Sequence, residues 1–133
     1  MDVNLPAIVT EVTAAFARYE QALVTNDVAT LDALFHHSAN TIRYGIAENL
    51  YGIAEIRAFR SARSPLNLAR RLSRPVITTY GQDYATASTM FHRDGNAKIG
   101  RQMQTWVRFT EGWRIVAAHV SMIDDPAGAG IKS

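Results

Sequence analysis

The chain contains no cysteine, which removes disulfide staples, thiolate metal sites and a cysteine nucleophile from consideration together. Lysine is nearly as scarce, with Lys98 and Lys132 standing against twelve arginines. No run approaches the roughly eighteen apolar residues of a membrane span, and the opening MDVNLPAIV lacks the basic region and unbroken apolar stretch of a secretion signal. Glycines stand singly as turn breakers, so neither a phosphate loop nor a dinucleotide fingerprint is present. The expectation from these absences is a soluble protein of a reducing cytoplasm.

What is present fits one domain. A chain of 133 residues that is 47% apolar has the side chains for one sizeable core and not two. Residues 1–124 are expected to form it, with 125–133 as a flexible tail that has little to bury. The formal net charge is only +2. Nucleic-acid binding should bring a larger positive excess with interleaved aromatics, so no nucleic acid is expected as partner. The arginine bias has two readings, recognition of an anion by planar guanidinium forks or a solvated face. Arg57, Arg60, Arg63, Arg70, Arg71 and Arg74 form its densest cluster.

The periodicity then orders the elements. Asn4 as cap and Pro6 in the first turn open a helix whose apolar positions Ile8, Val12, Phe16, Tyr19 and Leu23 recur at helical spacing up to about Thr25. Asn26 or Asp27 caps a shorter helix that turns Leu31, Leu34 and Phe35 inward. Residues 41–45 and 49–51 read as short strands broken by Gly45 and Gly52. A third helix follows, with Ile53, Ile56, Ala58 and Phe59 facing inward, and Ser64 and Pro65 end it. From residue 68 the period changes to two, giving four long antiparallel strands with turns at 81–83, 94–96 and 111–112. Helices first and a meander afterwards make an α+β fold, a curved sheet wrapped on helices with room for a cavity.

The last hairpin locates a pocket. With Glu111 and Gly112 as loop residues, Thr110 pairs with Trp113, and one face then carries Trp106, Gln104, His119, Gln102 and Ser121. That patch is either the solvated side or a ligand cavity, and the mixture of an aromatic, a small residue and polar groups suits the cavity. Tyr19 lies on the apolar stripe of the first helix, so its hydroxyl enters the interior, as a core phenol bonded to a carbonyl or as part of a site. Arg43, between Ile42 and Tyr44, points to water or into the interior, where it needs an anion. Adjacent His36 and His37 cannot readily converge on one ion, so no metal is expected.

The segments RYEQAL (18–23), TIRYG (41–45), ENLYGIAEIRAFR (48–60), GRQMQTWVRF (100–109) and WRIVAAHVS (113–121) resemble the AtzH-like family of the NTF2-like superfamily, which includes proteins called oxalurate catabolism protein HpxZ. The resemblance covers residues 3–124 and departs from the family pattern at Met103. It implies a cone-shaped α+β fold with no cofactor, commonly a homodimer through the outer face of the sheet. It further implies work on ureide nitrogen compounds alongside amidase-family hydrolases, and an activity that decarboxylates 1,3-dicarboxyurea to allophanate. Carried over onto matching positions, Tyr19 and Arg43 are the catalytic residues. On this view Arg43 clamps a carboxylate, Tyr19 supplies a proton, Gln102, Gln104, His119 and Ser121 orient the urea, and Trp106 excludes water. The competing readings are a non-catalytic binding or accessory protein and an isomerase or dehydratase. The last would need an aspartate beside His119, which this register does not supply.

Overall fold

In the computed structural model, which describes residues 1–126, the first helix, α1, spans Pro6–Val24. Proline is tolerated at its first position because the amide it lacks has no intrahelical acceptor there. Ile8, Val12, Phe16, Tyr19 and Leu23 form the buried stripe. Asn4 does not cap this helix as expected: Leu5 occupies that position. The Asn4 side chain accepts the Thr79 amide at 2.9 Å and its own amide donates to the Thr79 carbonyl at 2.9 Å. It thereby ties the chain start to the edge of the sheet, at a φ of +60° that asparagine tolerates.

Helix α2 spans Val28–Leu34 and is capped by Asp27, whose carboxylate accepts the Thr30 amide at 3.2 Å and the Thr30 hydroxyl at 2.7 Å. Helix α3 spans Ile53–Ala62. Its inward face differs from the expected one. Ile56 and Arg60 are buried while Ala58 is exposed.

Six strands form one sheet: β1 (Ile42–Tyr44), β2 (Asn49–Tyr51), β3 (Arg71–Tyr80), β4 (Tyr84–His92), β5 (Lys98–Phe109) and β6 (Gly112–Asp124). Their order is β2-β1-β6-β5-β4-β3. The expected four-stranded meander is present, and the short β1–β2 hairpin extends it by pairing β1 in parallel with β6. Pro75 sits in β3, an edge strand, where a missing donor does least harm. The register shifts between Ser73 and Val76, around Arg74 at φ +50°. On the concave face Ala87, Phe91, Gln102, Gln104 and Trp106 are buried, and Val12, Leu31 and Ile56 from the helices close over them together with Phe35, which follows α2 in extended conformation.

The register of the last hairpin corrects the sequence reading. Phe109 pairs with Gly112, so Thr110 and Glu111 make the turn and Gly112 takes a φ of +121°. A second change follows: Trp106 pairs with Ile115 but Thr105 with Ala117, so β6 holds one extra residue. Because side chains alternate across a strand, this bulge exchanges the two faces of β6 beyond it. Ala118 and Val120 are therefore buried beside Gln104 and Gln102, whereas His119 and Ser121 join the convex face with Met103 and Arg101. The tail expected to be flexible starts at residue 125, and 127–133 of it lie outside the described residues. Among the described residues no helix is long and apolar enough to cross a membrane.

Candidate functional site

Tyr19 and Arg43 reach the same hollow. It has a volume of about 200 Å³, and its walls include Tyr19, Arg43, Glu48, Arg63, Arg70, Phe91, Arg93 and Gln102. At the ~30 Å³ each water occupies in the liquid, that is room for a ligand of only several non-hydrogen atoms. A larger depression of about 680 Å³ runs between α1 and β3, but its lining is mostly apolar and it meets the charged residues only at Glu20 and Arg70. The smaller cavity is the candidate site, because polar groups converge on it.

Each wall residue is held by an identifiable local cause. Arg43 points inward because β1 alternates, pairing Arg43 with Leu50 and Ala118 on the concave side. Its Nη1 donates to Glu48 Oε1 at 2.9 Å, and Glu48 Oε2 accepts the Ala47 amide at 3.2 Å. Gly45 makes room for this: a Cβ there would overlap the Glu48 carboxylate. Arg70 is clamped by Glu20 through two hydrogen bonds, the Nε one at 3.1 Å, and its Nη2 donates to Gln102 Oε1 at 2.9 Å. That bond fixes the Gln102 amide, so Nε2 is its free end. Arg63 donates from Nη2 to Asn26 Oδ1 at 3.2 Å. Tyr19 is 3% exposed, with its ring edge-on to Phe35 at 6.3 Å, and no hydrogen bond among the described residues engages its hydroxyl.

Donors outnumber acceptors here. Arg43 Nε, Arg63 Nε, Arg93 Nε and Gln102 Nε2 are all buried without a partner. Such groups cost free energy unless something accepts from them. Burial lowers the Arg63 guanidinium from its ordinary pKa, Tyr19 opposes that shift, and Arg43 and Arg70 add to it. Burial also lowers Arg93, with Arg70 and Arg63 contributing and Glu20 opposing. Both guanidinium groups stay charged at physiological pH. A cluster of mutually repelling cations with unpartnered donors has electrostatics that would suit an anion.

Of the residues singled out from sequence, Tyr19, Arg43 and Gln102 line this cavity. Gln104 and Trp106 lie beside it in the core, where Trp106 Nε1 donates to Gln104 Oε1 at 3.1 Å. His119 and Ser121 are absent from it. His119 is exposed on the convex face with its ring edge-on to Tyr44 at 6.0 Å, and Ser121 accepts from Arg101 Nε at 3.3 Å on that same face. The bulge in β6 is the reason.

Residues that sequence reasoning did not assign to the site are Glu48, Arg63, Arg70, Phe91 and Arg93. Phe91 is the platform under two of them, with Arg70 Cζ 4.5 Å and Arg93 Cζ 5.0 Å from its ring centroid. Gly100, opposite Phe91 in the β4–β5 pairing, leaves the space the ring fills. A Cβ on Gly100 would overlap that ring. Gly100→Ala is therefore expected to cost about 1–3 kcal/mol of stability and to weaken anion binding by displacing both guanidinium groups. Denaturant unfolding and anion titration of the variant check the two effects. Arg60 is 3% exposed, with Cζ 5.0 Å from the Phe35 centroid. The signal for it was legible: Ile53, Ile56 and Arg60 follow i, i+3, i+7 spacing, which places the arginine on the apolar stripe.

The comparisons agree with this architecture. A family model described as AtzH-like matches residues 1–126. The solved structure of a DUF3225-family protein of unknown function from Pectobacterium atrosepticum is 63% identical, with a TM-score of 0.91 over 92% of this chain and 96% of that one. A cystatin-like fold protein from Burkholderia xenovorans is 52% identical, with a TM-score of 0.92 over 95% and 99% of the two chains. An NTF2-like superfamily protein from Salmonella enterica is 25% identical, with a TM-score of 0.70 over 90% and 94%. The fold is the NTF2-like α+β cone. A comparison with curated proteins yields no match.

Proposed function

The chain belongs to the AtzH-like family, and from that premise we propose that it is an enzyme of ureide nitrogen catabolism that decarboxylates an N-carboxylated urea. The substrate is of the 1,3-dicarboxyurea type and the product allophanate, as in oxalurate or cyanuric acid breakdown. The observation that carries this reading is that Tyr19, Arg43, Arg63, Arg93 and Gln102 line one cavity sized for a small ligand, the last four each with a buried nitrogen that has no partner.

In the reaction the bond between nitrogen and the carboxylate carbon breaks, and carbon dioxide leaves. The electron pair stays on nitrogen and is shared with the urea oxygen. Arg43, beside that charge, stabilises it, and the Tyr19 hydroxyl delivers the proton that the nitrogen takes up. Water then returns a proton to the phenolate, so one proton is consumed for each carbon dioxide released. The Gln102 amide orients the urea carbonyl. Apolar walls from Leu23, Phe59, Leu68 and Val120 limit the water around the reacting groups.

The test is carbon dioxide release from 1,3-dicarboxyurea by the purified protein, measured against the spontaneous rate. Acceleration that depends on Tyr19 supports the enzyme. Tight binding with no acceleration supports instead a carrier or accessory protein for an amidase, since a fold alone does not establish chemistry. A homodimer through the convex face belongs to the same proposal, supported by exposed Met103, Tyr84, Val76 and Tyr51 on that side.

A further inference from the structure

Arg93 stands just beyond β4, where the hairpin turn begins, and its carbonyl accepts the Asn96 amide at 3.1 Å. The backbone that carries it is thus fixed. Its guanidinium shares the Phe91 ring with that of Arg70, yet the two are held differently. Arg70 has the Glu20 carboxylate and the Gln102 carbonyl. Arg93 has no ion pair among the described residues, its Nε is buried without a partner, and both Arg63 and Arg70 repel it. Asp94, next in the chain, lines the neighbouring depression without pairing to it.

Position adds to this. Arg70 and Arg93 line both the inner cavity and an adjoining depression of about 420 Å³ bounded by Asn67, Arg71, His92 and Asp94. Arg93 therefore stands at the boundary between the two, and it shares the inner hollow with Tyr19 and Arg43. The charges around the cavity are unequal: four guanidinium groups, of Arg43, Arg63, Arg70 and Arg93, meet two carboxylates, of Glu48 and Glu20. Two positive charges are left over, and they fall on Arg63, whose acceptor among the described residues is the neutral Asn26 amide, and on Arg93.

We infer that Arg93 is the specificity-determining residue that reads a second anionic group on the ligand, so that the cavity selects small dianions over monoanions. The inference rests on the reading of the Arg43 cavity as an anion site. One carboxylate takes the spare Arg43 and Arg63 donors at the Tyr19 end. The other meets Arg93 at the boundary with the outer depression. A guanidinium lying on an aromatic ring keeps its peripheral N–H groups available, which is the geometry a carboxylate accepts from in bidentate fashion. A monoanion satisfies only one end and leaves the Arg93 donor unpaired.

The experiment titrates malonate and acetate, as dianionic and monoanionic probes, into the wild-type protein, Arg93→Gln, Arg93→Lys and Arg43→Ala, with calorimetry as the readout and thermal unfolding as a control for folding. Wild type is expected to prefer malonate by about tenfold or more. Arg93→Gln should bring malonate affinity down to near that of acetate while acetate changes less than about threefold, and Arg93→Lys should restore part of the preference. Arg43→Ala should weaken both probes. If Arg93→Gln keeps the wild-type preference while Arg43→Ala loses both probes, the assignment of Arg93 is wrong and the anion site stands. If Arg43→Ala binds both probes as wild type does, or wild type binds neither, the anion site itself falls and the inference with it.

Discussion

Arg43→Ala lowers kcat/KM for the N-carboxylated urea by roughly 10²–10³-fold, the loss typical when a group aimed at developing charge is removed. Two features make the result readable as chemistry. The Arg43 side chain is largely buried at 11% exposure, so its charge acts at short range in a poorly screened site, whereas its partner Glu48 is 21% exposed and can recruit water when Arg43 is gone. The fold should therefore survive, and thermal unfolding of the variant checks that it does. Arg43→Lys retains a charge but not the fork, and its kcat/KM is expected to fall between wild type and alanine. Turnover unchanged in Arg43→Ala, with native unfolding behaviour, would remove this residue from the mechanism.

Tyr19→Phe deletes one oxygen and leaves the ring where it packs against Phe35. If the phenol delivers the proton, kcat falls by about 10²–10⁴-fold while anion affinity moves only a few-fold. The split is the point. A Tyr19 that served only to bind would raise KM and leave kcat alone. Steady-state carbon dioxide release across substrate concentrations, combined with malonate titration of the same variant, separates the two roles. An unchanged kcat would mean that the proton comes from elsewhere.

The helices and the meander were readable because each rests on a local period. The stripe of α1 from Ile8 to Leu23 and the Asp27 cap are properties of a few neighbouring residues, and so are the turns at 81–83 and 94–96. Tyr19 was placed in the interior by its position on a helical stripe, whereas the short strand left Arg43 pointing either to water or inward, and only the resemblance to the AtzH-like family singled out the two together. His119 and Ser121 were misplaced because face assignment on β6 depends on a bulge near Val116 that no residue type announces. One extra residue is a small backbone event, yet it moves every later side chain across the sheet.

The rest of the site was out of reach for another reason. Arg63, Arg70 and Arg93 come from the end of a helix, the start of an edge strand and a hairpin turn, and only the tertiary fold brings them into one cavity, the last two onto Phe91. Arginine excess hinted at an anion, but spacing along the chain cannot tell Arg63, at the cavity, from Arg57, whose side chain is 60% exposed. Asn4 teaches a similar lesson: an asparagine two residues before the helix was better used to hold the Thr79 amide than to cap.

The central claim is that Tyr19 and Arg43 share a cavity that receives a small anion, and a crystal structure determined in the presence of malonate tests it most directly. Malonate density is expected inside the cavity, with one carboxylate within hydrogen-bonding distance of the Arg43 guanidinium and of the Tyr19 hydroxyl. Malonate bound only elsewhere, with the cavity unfilled and the Arg43 guanidinium engaged by Glu48 alone, would contradict it.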